Sequence, residues 1–71
     1  MTVDLHGLRL EELAKELDQH MHRAMTTGEE MIEFITGTGV LQDTLISRCR
    51  EIYNCEVRIK LGNTGALIVT L

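Results

Sequence analysis

The segment Ala66–Leu71 is apolar at every position except Thr70, whereas Glu56–Leu61 alternates without a break between charged and apolar residues. Side chains alternate across a strand, so an alternating strand offers one face to a core and the other to water. A strand apolar on both faces needs neighbours and cover. With the turn-forming Gly62-Asn63-Thr64-Gly65 between them, the two segments read as a hairpin. Its alternating arm, Val57, Ile59 and Leu61 against Glu56, Arg58 and Lys60, belongs at an edge; its apolar arm belongs inside the sheet. Few topologies place the last strand of a chain in the interior.

The preceding elements follow from periodicity. Thr2–Leu5 reads as a short strand ended by Gly7, with Val3 and Leu5 on one side and Asp4 and His6 on the other. From Leu10 to about Met25 the apolar positions 10, 13, 14, 17, 21, 24 and 25 have helical spacing. Glu11 and Glu12 suit the positive end of that helix, and Thr26-Thr27-Gly28 stops it. Met31–Thr36 predicts a second strand with Ile32 and Phe34 facing inward. A second helix is expected from Leu41 to Tyr53, with Leu41, Leu45, Cys49 and Ile52 as its inner stripe and Asn54 as a left-handed stop. The result is one α/β domain over residues 1–71, an α+β two-layer sandwich of βαβαββ order. It carries a four-stranded mixed sheet with two right-handed crossovers and both helices on one face. Asp4, His6, Glu33, Arg58 and Lys60 fall on the open face.

Composition narrows the function. Only Phe34 and Tyr53 are aromatic, so the core is aliphatic and a surface that stacks successive bases on aromatic rings is not expected. Seven basic against eleven acidic residues give a net charge of −4. A broad basic stripe for duplex backbone is absent, and any phosphate contact must be local. No apolar run is long enough to span a membrane, and the N-terminus carries no signal-like segment. Cys49 and Cys55 form no CxxC pair and read as buried, reduced thiols, which points to the cytoplasm.

Two short motifs carry chemistry. In Asp4-Leu5-His6-Gly7 a carboxylate and an imidazole share the open face, where the carboxylate can orient the imidazole as an acid or base. Gly7 allows close backbone approach. Thr36-Gly37-Thr38-Gly39 also follows a strand and leads into a helix, so its amides and the helix's positive end suit a phosphate. Ligands of parallel α/β sheets gather at the carboxyl ends of strands, so both loops are expected to open onto one cleft. His20 and His22 are two apart on a helix, face different ways and read as solvent-facing rather than a metal pair. Glu33 beside Asp4 is a candidate second carboxylate for a divalent cation, Mg²⁺ or Mn²⁺; the cofactor stays open on sequence grounds. Arg58 and Lys60 can meet phosphate across the open face, or can serve as charges that guard an edge strand.

Val3-Asp4-Leu5-His6-Gly7, an apolar strand, and Thr36-Gly37-Thr38-Gly39 at its end together resemble the small-MutS-related (Smr) domain. That family is known for an LDxHG-type first motif, here with Val3 in the leucine position, and an HGxG or TGxG loop. The resemblance implies a fold similar to the C-terminal domain of translation initiation factor three, with the last strand inserted beside the second. It implies an endonuclease that nicks DNA or cleaves RNA. Asp4 and His6 would be its catalytic residues, and Gly7, Thr36, Gly37, Thr38, Gly39, Arg58 and Lys60 its nucleic-acid contacts. The alternative is a non-catalytic adaptor of the same fold, binding nucleic acid or protein. A homodimer through the open sheet face, or membership of a larger protein, is the expected assembly.

Overall fold

A computed structural model of the chain describes all 71 residues. The elements are β1 (Thr2–Asp4), α1 (Leu10–Thr27), β2 (Met31–Ile35), α2 (Val40–Glu51), β3 (Glu56–Lys60) and β4 (Asn63–Thr70). The sheet order is β1-β2-β4-β3, with β1 parallel to β2 and β4 antiparallel to both its neighbours. The apolar last strand is therefore interior, as its composition requires. β1, β2 and β3 all run the same way, and their carboxyl ends lie at one end of the sheet.

Both helices cover one face. Val3, Ile32, Phe34, Val57, Leu67 and Val69 point from the sheet into a core closed by Leu13, Leu17, Met21 and Ala24 of α1 and Leu45 and Cys49 of α2. The other face carries Asp4, Glu33, Ile35, Arg58, Ile68 and Lys60, each exposed or half-buried. Chain-local chemistry sets the helix limits. The Arg9 amide donates to Glu12 Oε1 at 3.0 Å, satisfying a donor just ahead of α1. At the other end Glu29 N–H donates to the Ala24 carbonyl at 2.9 Å and Gly28 N–H to that of Met25 at 3.4 Å, a Schellman closure. Asn54 has φ +54°, the left-handed stop its sequence predicts after α2. Tyr53 donates its hydroxyl proton to the Asp18 carboxylate, and Arg48 lies 3.6 Å from the same group, so α1 and α2 share a polar tie.

Several expectations change. Ile52, placed on the inner stripe of α2, follows the helix's last residue and is exposed, while Gln42 is buried instead. Leu10 and Met25, toward the two ends of α1, are half in water. His20 is half-buried and faces Glu16 at 3.8 Å, rather than lying free in solvent; His22 is exposed. β4 begins at Asn63, so the turn is only Leu61-Gly62 and Leu61 leaves the strand altogether. A register shift between Ile59 and Lys60 lets Lys60 pair with Asn63 while Ile59 pairs with Leu67. Thr64, Gly65 and Ala66 lie between those partners with no counterpart on β3, and Gly65 meets the 36–39 loop.

Candidate functional site

β1 ends at Asp4, so His6 is placed by a turn and not by strand alternation. Leu8 N–H donates to the Leu5 carbonyl at 3.3 Å, and Gly7 sits at φ +82°. A positive φ at the third residue of such a turn is what a type II turn demands, and glycine meets it without strain. The turn folds His6 back on Asp4. Asp4 Oδ1 accepts the His6 amide at 3.1 Å and lies 2.5 Å from His6 Nδ1. The same two hydrogen bonds, side chain first and backbone second, hold the Asp4 carboxyl below its usual range. An ionised carboxylate has no proton to give, so Nδ1 carries the hydrogen of this contact and Nε2 is the ring nitrogen left without a partner. The imidazole is 69% exposed and the carboxylate 53%.

Beside this pair comes the 36–39 loop. Asp4 pairs with Ile35 and Leu5 N–H donates to the Ile35 carbonyl at 2.7 Å, which sets the two chain segments next to each other where they leave the sheet. Thr36 is buried, and the Thr36 and Gly37 amides both donate to the Gly65 carbonyl, at 2.9 and 3.0 Å. The Gly37 amide is therefore already engaged, contrary to its expected place among the phosphate donors. Thr38 and Gly39 are exposed, and their amides have no partner in the chain. Gly39 begins α2 without a side-chain cap, so the amides of Val40, Leu41 and Gln42 are also unpaired within the backbone. The available donors begin at Thr38 and run into the helix, one step further along than the sequence indicates. The helix dipole adds to them.

The expected cleft is absent. No surface cavity includes Asp4, His6 or the 36–39 loop; one of about 530 Å³ lies at the opposite end of the sheet, around Met1, Glu29 and Glu30. The site is an open ledge. Lys60 crosses β4 to place its ammonium 3.0 and 3.1 Å from the two Glu33 oxygens, and Arg58 is exposed and in no ion pair. Because Glu33 is held by Lys60 and pairs in register with Thr2, it does not join Asp4. No three His, Cys, Asp or Glu side chains converge anywhere, so the donor set does not form a preorganised divalent-cation cage.

Sequence reasoning missed two supports of this end. Gln42 is buried and donates from Nε2 to the Thr64 carbonyl at 2.7 Å; its position three before Leu45 and seven before Cys49 carried the signal. The Gly65 carbonyl that anchors the loop had none, since it depends on the β4 bulge.

A family model described as Smr domain matches residues 3–71. Among solved structures, the Smr domain of Thermus thermophilus MutS2 is similar at a TM-score of 0.89 and 25% identity, covering 99% of this chain and 95% of that one. No curated protein matches the chain. On the extent of the family match, and with the same βαβαββ architecture in a solved relative, this chain belongs to the Smr domain family.

Proposed function

We propose that this Smr domain acts on phosphodiesters of DNA or RNA, with His6 as the proton acceptor and Asp4 as the residue that orients it. The carrying observation is the 2.5 Å contact between His6 Nδ1 and Asp4 Oδ1, which leaves Nε2 free at the end of the sheet where the chain bearing the unpaired amides also departs. In the step this supports, Nε2 takes the proton of the attacking hydroxyl, from water or from a ribose 2′-hydroxyl. The nucleophile's oxygen bonds to phosphorus, the bond to the leaving oxygen breaks, and that oxygen is protonated from solvent. The amides of Thr38 and Gly39 and the first turn of α2 face the growing charge on the non-bridging oxygens. Asp4 stabilises the imidazolium that forms. Gly7 and Thr36 shape the ledge, and exposed Arg58 offers the free cation of the open face. No step is routed through a metal, because the carboxylates do not converge.

A second reading, a binding adaptor without turnover, draws on the open ledge and the net charge of −4. An imidazole so exposed does not exclude water, and water exclusion strengthens electrostatic catalysis. In either case a second copy or an adjoining domain would supply further affinity.

Cleavage of labelled DNA and RNA, with Mg²⁺, Mn²⁺ or chelator, tests the first reading on wild type, His6→Ala and Asp4→Asn. His6→Ala is expected to lower the rate by about 10²-fold or more while leaving affinity nearly intact. Asp4→Asn should lower it less. Equal cleavage by wild type and His6→Ala removes the catalytic assignment, and binding without cleavage leaves the adaptor.

A further inference from the structure

Leu61 is 99% exposed at the tip of the β3–β4 hairpin, and nothing in the fold calls for an apolar side chain there. The first corner of a two-residue turn accepts most residue types. Nor does Leu61 stand alone. It borders a concavity of about 420 Å³ lined by Arg58, Lys60 and Ile68 of the open face and by Ile59, which alternates toward the helix side. Arg58 and Ile68 are directly opposite each other across β3 and β4. The Lys60 ammonium is neutralised by Glu33, whereas Arg58 has no carboxylate partner. The concavity thus combines apolar walls with one unneutralised, planar cation.

That combination matches the flat face of a nucleobase. A guanidinium plane stacks on a base, and aliphatic side chains can cover the other face, without any aromatic residue. A phosphate alone would leave the apolar walls unused. β3 runs parallel to β1 and β2, so Leu61 is at the same end of the sheet as His6 and the first turn of α2. Three inter-strand spacings of about 4.8 Å separate β1 from β3, about 14 Å in all. Arg58 and Ile68 also lie level with Glu33 and Thr2, short of His6 along the strands, so at roughly 3.4 Å per stacked nucleotide the span is at least about four nucleotides.

We infer that the shelf formed by Leu61, Ile68 and Arg58 holds one unpaired base of a nucleic-acid strand whose backbone runs past His6, an assignment that rests on the nucleic-acid reading of that end. A base paired within a duplex presents only its edge, so the shelf selects strands with a bulged or unpaired nucleotide. Selection then acts at least about four nucleotides from the phosphodiester at His6.

The test uses the whole 71-residue chain and two duplexes, one fully paired and one carrying a single bulged 2-aminopurine. Affinity is measured by titration, and 2-aminopurine fluorescence reports the environment of the bulged base. Wild type is expected to prefer the bulged duplex by about three- to tenfold, the size of one guanidinium–base contact, with a change in probe fluorescence on binding. Leu61→Ser, whose fold is checked by circular dichroism, should lose the preference and the fluorescence change while binding the paired duplex as wild type does. Arg58→Lys keeps the charge but not the plane and should lose most of the preference too. Equal preference in wild type and Leu61→Ser, or no preference in wild type, overturns the shelf and leaves nucleic-acid binding standing. An equal loss by Leu61→Ser on both duplexes also overturns it. Failure of wild type to bind either duplex overturns the nucleic-acid reading itself.

Discussion

Gln42 Nε2 donates to the Thr64 carbonyl at 2.7 Å, so a buried side chain in the first turn of α2 holds the backbone of the β3–β4 hairpin. Removing it leaves that carbonyl without its partner. Gln42→Ala is expected to cost about 1–3 kcal/mol, read as a lower urea midpoint. Amide exchange at residues 63–65 should quicken more than the global loss accounts for.

Asp4 is held in its ionised form by the His6 side chain first and the His6 amide second. Its carboxyl should therefore titrate below the usual 3.8 when followed by NMR. Because the folded value is depressed, the contact is fully present above the unfolded range near pH 4 and is lost as pH falls through the folded value. His6→Ala should return the titration only part of the way, since the amide at position 6 still donates. A midpoint unchanged by that substitution would remove the side-chain contact as its cause.

Burial pushes the Cys49 thiol up to about 12 and raises that of Cys55. Both should resist alkylation at pH 8 in the folded chain and react promptly in denaturant. The same shift makes stability depend on pH. Its contribution is complete below the unfolded thiol range, near pH 8.5, and declines as pH rises toward the folded values. Urea midpoints should fall between pH 8 and pH 10, less steeply in Cys49→Ala.

A β-carbon on Gly65 would lie 3.3 Å from Gly37 Cα, closer than such atoms normally come. Gly65→Ala should therefore displace the 36–39 loop rather than unfold the sheet. The expected signature is altered amide shifts at residues 36–40 and weaker nucleic-acid binding, with a melting temperature within a few degrees of wild type.

β4 has hydrogen-bonded neighbours on both sides, and Ala66, Leu67 and Val69 are fully buried. Amide exchange should be slowest there and faster in the edge strands β1 and β3. Fast exchange across residues 66–69 would contradict the strand order.

Local pattern made the architecture legible: the largely apolar Ala66–Leu71 run announced an interior strand, and Gly7 and the Thr36–Gly39 loop marked where strands deliver the chain to one end. Pattern could not say how far cover extends. Ile59 faces the helix side and is still half in water, and Ile52 passes the end of α2. The Asp4–His6 pairing was legible, although by a turn rather than by alternation. Lys60 with Glu33 and Gly65 with the loop were not, because both follow from a register shift between β3 and β4 that no single segment encodes.

The strand order also sets the sequence of events when the domain is made. β4 is the last strand synthesised and the middle of the finished sheet. A growing chain complete through Lys60 lacks the strand that joins β2 to β3 in the finished sheet. Leu67 and Val69, two of the six sheet side chains that face the core, have not yet arrived. Assembly therefore waits for the final hairpin, and a stop codon ahead of Leu67 yields an open chain for the proteases instead of a trimmed domain.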